Sequence, residues 1–109
     1  MHELGLTQSI VDICAEHAAG ARVIRVTLEI GVLAAVMPDA IRFCFDVCTQ
    51  GTALEGAVLQ VLAIPGRGRC RGCRSELAMD DFLARCSCGS VDIECIAGAG
   101  LRIKNMEVI

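Results

Sequence analysis

Tryptophan and tyrosine are absent from this 109-residue chain, and its aromatic side chains are limited to Phe43, Phe45 and Phe82. A protein that grips single-stranded nucleic acid by stacking needs more rings than that. Positive charge is also scarce. Ten Lys and Arg against thirteen Asp and Glu give a formal charge of -3 and a pI near 5.3, which speaks against a general polyanion binder, so no nucleic-acid partner is expected. Apolar residues make up 54%, yet no uncharged run approaches the ~20 residues of a membrane span, so a soluble chain is expected. Histidine is confined to His2 and His17, and no phosphate-cradling glycine loop is present. These absences leave little to build a catalytic site from, so the chain reads as no enzyme. The opening MHELGLTQSIVDIC places His2, Glu3 and Asp12 where a secretory signal needs a basic start and an unbroken apolar run. A cytoplasmic location is the expectation.

Cysteine, by contrast, is abundant, and four of the eight fall into two tight pairs, Cys70-Arg-Gly-Cys73 and Cys86-Ser-Cys88, with twelve residues between them. Two short loops that each present two thiolates supply the four soft, deprotonated donors that a tetrahedral zinc ion takes. With four protein sulfurs bound, no position is left for water or substrate, so such a zinc is structural. A disulfide framework would belong to a secreted protein. Zinc ribbons usually repeat C-x2-C in both halves, whereas the second half here is one residue shorter, so either Cys88 or Cys95 could be the fourth ligand. Cys88 is favoured because Gly89 after it permits a tight fold, while Cys95 alternates with Val91 and Ile93 as a strand residue. Arg67, Arg69, Arg71, Arg74 and Arg85 crowd these loops. A nucleic-acid ribbon would look similar, but a local excess of arginine can offset the -2 charge of a four-thiolate zinc site.

Leu6, Ile10, Ile13, Cys14 and His17 recur at helical spacing after Thr7, a candidate cap, so residues 7–19 are expected to form an amphipathic helix with Cys14 and His17 packed on its apolar face. Residues 22–30 alternate, with Ile24, Val26, Leu28 and Ile30 opposite Arg25, Thr27 and Glu29, as in a half-buried strand. Pro38-Asp39 opens a second helix carrying Ile41, Cys44, Phe45 and Cys48 on one face. Cys44 and Cys48 read as packing residues. AVLQVLAI at 57–64 suits the middle of a sheet, and Pro65-Gly66 breaks it. A last strand carries Leu101 and Ile103, then Met106 and Val108, and this change from odd to even positions suggests a bulge near Lys104-Asn105. The expected fold is therefore mixed α/β (α+β). It has a three-stranded main sheet with two helices, residues 1–66 and 99–109, interrupted by an inserted four-cysteine, zinc-ribbon-like lobe, residues 67–98.

Met1-His2-Glu3 lines up an α-amine, an imidazole and a carboxylate ahead of the first helix. The amine, the deprotonated amide of His2 and its ring nitrogen can bind one metal through fused chelate rings, and such nitrogen-rich planar geometry suits Ni(II) or Cu(II) better than zinc. Binding of this kind is steeply pH-dependent near neutrality.

Met1-His2-Glu3 joins several further motifs: Ile30-Gly31-Val32-Leu33 at a strand end, Phe43-x-Phe45, Glu55-Gly56-Ala57, the cysteine pairs with Cys88-Gly89-Ser90, and Ile103-x-x-Met106-Glu107-Val108. Together they resemble the HypA/HybF family of hydrogenase nickel-incorporation proteins over the whole chain. The resemblance implies a nickel metallochaperone for [NiFe]-hydrogenase maturation, with Ni(II) as transient cargo at the N-terminus and structural Zn(II) in the lobe. It implies delivery to the hydrogenase large subunit and cooperation with the GTPase HypB, with His2 the principal nickel ligand and Glu3 assisting or positioning it. The shortened Cys86-Ser-Cys88 departs from the family pattern. Service to urease and a homodimer stay open. The competing reading is a zinc-ribbon adaptor that contacts protein or nucleic acid and uses no second metal.

Overall fold

A computed structural model of the chain describes residues 2–109. Helix α1, Glu3–Ala18, is followed by strand β1, Val23–Gly31, helix α2, Pro38–Cys48, and strand β2, Val58–Ile64. Strands β3, Gly66–Cys70, β4, Glu76–Met79, β5, Ile93–Ala97, and β6, Leu101–Val108, complete the chain. The architecture is α+β, with a three-stranded sheet in the order β2-β1-β6, two helices and a four-cysteine cluster. A second three-stranded sheet runs β4-β3-β5. Among the described residues no helix is long and apolar enough to cross a membrane.

Contacts divide the chain into two compact units. The first comprises Met1–Leu28, Val36–Leu62 and Arg102–Ile109, and the second Glu29–Ala35 and Ala63–Leu101. The 67–98 segment lies inside the second.

In the first unit α1 packs against α2. α1 starts four residues earlier than its apolar stripe suggests, with His2 at the N-cap position and the Leu6 amide donating to His2 O at 3.0 Å. Thr7 does not cap this helix; it is fully buried inside it, and its Oγ1 donates back to Glu3 O at 2.6 Å. A helical threonine can satisfy its hydroxyl on the preceding turn, so a residue of cap type need not mark a helix start. Ala19 and Gly20, at φ 51° and 90°, end the helix in the left-handed region. α2 opens with proline in its first turn, where a missing N–H has no helical partner to lose, and it buries Ile41 and Phe45. With Ile10, Val11, Cys14, Val26, Leu28 and Leu54 these form the core, each large side chain contributing about 1.5–3 kcal/mol of burial.

β1, not the apolar 57–64 run, is the central strand; β2 lies at an edge and is only partly covered. An uninterrupted apolar run signals burial without saying which strand lies between two others. The alternation in β1 also slips. Val23 is buried and Ile24 exposed, and only from Val26 onward do the expected residues turn inward. β6 does change phase at Lys104 and Asn105, so that Ile103 and Met106 are both partly covered.

In the second unit β3 pairs antiparallel with β4, Gly66 opposite Met79 through Arg69 opposite Glu76. On its other side β3 pairs with β5, ending at Cys70 opposite Ile93. Residues 31–33 are bound into this unit by main-chain bonds from Gly31 N to Gly100 O (2.8 Å), Val32 N to Ile64 O (3.0 Å) and Leu33 N to Gly98 O (2.8 Å).

Candidate metal centres

Cys70 is the last residue of β3, and the chain then reverses so that the Cys70 amide donates to Ser75 O at 2.9 Å and the Arg74 amide to Cys70 O at 2.8 Å. Arg74 takes the left-handed φ of 67° to close this turn, and the Cys73 amide points at Cys70 Sγ, 3.5 Å away. The second loop repeats the device. The Cys86 amide donates to Ser90 O at 2.9 Å and the Gly89 amide to Cys86 O at 2.8 Å, with Gly89 at φ 94°. That left-handed glycine lets a pair one residue short still fold back on itself.

The two loops bring Cys70, Cys73, Cys86 and Cys88 together with all four sulfurs within 4.8 Å of one another. Cys70 and Cys88 sulfurs are 3.6 Å apart, and Cys73 and Cys86 sulfurs 3.5 Å. A disulfide requires about 2.05 Å. Four sulfurs at ~2.3 Å from a central zinc stand about 3.8 Å from one another, close to what is seen. Cys70 and Cys86 are buried, Cys73 and Cys88 exposed. Cys95 is not in the cluster; its thiol donates to Ala97 O at 3.4 Å on β5.

Proton affinities within the cluster are split. The hydroxyl and amide of Ser75, followed by the Cys86 thiol, bring Cys73 down to about 6. The Cys73 amide heads the groups that lower Cys70. Cys88 accepts from the Ser90 amide, which lowers it, but the facing thiols of Cys70, Cys86 and Cys73, with burial, together push it up to about 11. Four thiolates in so small a volume repel one another, and a cation relieves that repulsion. The serines that serve Cys73 and Cys88 stand two residues beyond each, in Cys73-Arg-Ser75 and Cys88-Gly-Ser90, a repeated signal that reasoning from the cysteine spacing alone misses.

Three of the five lobe arginines pair with carboxylates. Arg69 and Arg67 reach Glu76 at 3.2 and 3.4 Å, and Arg71 reaches Asp92 at 2.9 Å. Arg69 first, then Arg67, hold the Glu76 carboxyl below its ordinary range.

In the first unit His2 is exposed at the start of α1, and Glu3 is buried beside it in the first turn. The Met37 amide, just ahead of α2, donates to Glu3 Oε2 at 3.4 Å. The positive chain terminus, then the amides of Glu3 and Met37, bring the Glu3 carboxyl down to about 2. Glu3 is thus a fixed carboxylate next to an exposed imidazole. Met1, the remaining residue of the expected nickel set, lies outside the described residues. The link from Glu3 to Met37 crosses 34 positions and has no local sequence signal.

The remaining cysteines are not gathered into the cluster. Cys14 is buried in the core, whereas Cys44 and Cys48 are only half-buried on α2. His17, expected to pack on the apolar face of α1, is exposed instead, with Nδ1 2.9 Å from Ile13 O.

A family profile described as "Hydrogenase/urease nickel incorporation, metallochaperone, hypA" matches residues 1–108. The hydrogenase maturation factor HypA of Nostoc punctiforme is 60% identical over 108 residues, covering 99% of this chain and 96% of that protein. The hydrogenase maturation factor HypA of Geotalea daltonii is 48% identical over 110 residues and matches both chains in full. Two solution structures share the fold at 22% identity. One is of a HypA protein, with a TM-score of 0.76 over 100% of this chain and 97% of the other. The second is of the Ni metallochaperone HypA from Helicobacter pylori, with a TM-score of 0.74 over 100% and 98%.

Proposed function

Because the chain belongs to the HypA family of hydrogenase and urease nickel-incorporation metallochaperones, we propose that it takes up Ni(II) at Met1, His2 and Glu3. On this reading it delivers the ion to the large subunit of a [NiFe]-hydrogenase. The observation that carries the site is Glu3, buried, ionised and tied to Met37, directly beside the exposed His2. A carboxylate held in place by another segment orients its neighbour, and an imidazole at position two forms a chelate with the preceding amine and its own amide nitrogen. His2 supplies the principal donor, Met1 its α-amine, and Glu3 the positioning charge.

Cys70, Cys73, Cys86 and Cys88 would hold a zinc ion. When bound, zinc supplies a cross-link between the two loops and offers no open coordination position. The division of labour is then a nickel-binding domain, residues 1–66 and 99–109, and a zinc-binding domain, residues 67–98. The protein carries metal and performs no turnover of its own, in the cytoplasm, with a HypB-type GTPase and the hydrogenase large subunit as partners. Sedimentation with and without nickel distinguishes a monomer from a homodimer.

The test is nickel titration at fixed pH of the untagged chain, of His2→Ala and of a form with one residue added before Met1. His2→Ala and the extended form should both lose nickel while keeping zinc and fold. Equal affinity in all three would remove the N-terminal site and leave the zinc-ribbon adaptor as the better reading.

A further inference from the structure

The first unit holds a concave site that nickel carriage does not use. Ile13, Cys14 and His17 of α1, with Ile103, Asn105 and Met106 of β6, line a cavity of about 300 Å³. The change of phase in β6 at Lys104 and Asn105 is what brings both Ile103 and Met106 to it.

Three of the six lining residues, Cys14, His17 and Met106, carry sulfur or imidazole donors. Cys14 is 2% exposed, and its thiol has no hydrogen-bond partner among the described residues. His17 stands one turn further along α1, and side chains three apart on a helix are neighbours, with Cβ atoms roughly 5–6 Å apart. Its Nδ1 lies 2.9 Å from Ile13 O. A carbonyl oxygen only accepts, so Nδ1 of the neutral ring carries the proton and Nε2 keeps its lone pair. A backbone carbonyl on one ring nitrogen is the usual way a protein orients a histidine that ligates metal through the other. Met106 adds a thioether.

We propose that Cys14, His17 and Met106 form a second metal site in this protein, for a soft monovalent d10 cation such as Cu(I). Thiolate and thioether donors select such ions, and a thioether is a poor ligand for Ni(II) or Zn(II). Apolar walls from Ile13 and Ile103 suit an ion that sheds its hydration readily. Binding forms the metal–sulfur bond as the Cys14 thiol gives its proton to solvent, while His17 and Met106 coordinate as neutral donors. No oxidation state changes.

The experiment is a titration of the full, zinc-loaded chain with Ag(I), labelled with 13C at the methionine methyls and 15N in the histidine rings. Silver also reaches the other thiols, so the readout is local to this cavity. The Met106 methyl and His17 Nε2 signals should move together to one plateau. Both responses should vanish in Cys14→Ala. Met106→Leu keeps volume and apolarity while removing the sulfur, so even if Cys14→Ala fails to fold, the His17 response in Met106→Leu should demand about tenfold more silver or beyond. A Met106 methyl unmoved with every thiol saturated, or a His17 response unchanged in Met106→Leu, would overturn the site. A Met106 shift with Ni(II) as large as that with Ag(I) would overturn its assignment to soft cations.

Discussion

A Cβ placed on Gly31 would stand 2.0 Å from the carbonyl oxygen of Gly98, the same oxygen that accepts from the Leu33 amide at 2.8 Å. Gly98 is hemmed in from its own side as well: its φ is 88°, and a Cβ added there would stand 2.6 Å from Gly66 Cα and Pro65 O. Backbone meets backbone here, and only hydrogen atoms fit between.

Gly98→Ala combines a strained φ with a main-chain clash and should lower stability by about 2–4 kcal/mol. Gly31→Ala should approach this through the clash alone. Gly5→Ala, with open space around an exposed helical position, should stabilise by roughly 0.5–1 kcal/mol. Urea midpoints of the three variants check the ordering, and a neutral Gly98→Ala would contradict it.

The two phenylalanines of α2 differ sharply. Phe45 is 1% exposed and Phe43 72% exposed. Phe45→Ala should cost about 3–5 kcal/mol, and Phe43→Ala should stay within about 0.5 kcal/mol. Thermal melts of both variants distinguish core from surface.

Among the cysteines, serine at position 70, 73, 86 or 88 should each cause loss of zinc, because each sulfur belongs to the cluster. Cys95→Ser should keep close to one zinc per chain. Metal analysis of purified variants decides, and full zinc in Cys88→Ser would break the assignment.

The Glu3 carboxyl, at about 2 against an ordinary 4.5, should titrate late. Since ionisation is favoured in the folded state, its contribution to stability is complete above the ordinary value and disappears as pH falls through about 2. Carboxyl 13C shifts should place the midpoint well under 4.5. A residue added before Met1 should raise it by moving the terminal ammonium away, and an unmoved midpoint would show that the amine plays no part.

The elements legible in the sequence are those with a strong local period or spacing. The stripe of Ile10 and Cys14 gives away α1, Pro38 marks the start of α2, and the doublets around Cys70 and Cys86 announce the cluster. What escapes depends on distant partners. Thr7 looks like a cap because its bond to Glu3 O is invisible until the helix exists. Residues 57–64 carry no mark of which strands flank them, and β2 is an edge. His17 shares the spacing of its apolar neighbours, yet a ring at the margin of a helical stripe can face water while its Nδ1 is served by the preceding turn. For the N-terminal residues the sequence offers donor chemistry, whereas the Met37 contact that steadies Glu3 comes only with the fold.

The unequal thiols of the cluster also fix a proton inventory. Ser75 and the Cys86 thiol pull Cys73 down while the facing thiols push Cys88 up, so at neutral pH the cluster as a whole has shed part of its protons before any metal arrives and still holds the rest. Metal capture therefore expels fewer than four protons per ion, a count that belongs to the four thiols together. Mass action then makes retention of zinc tighten as the medium turns alkaline and slacken as it acidifies, with the steepness reporting how many protons leave. A pH-stat trace during reconstitution would count them directly.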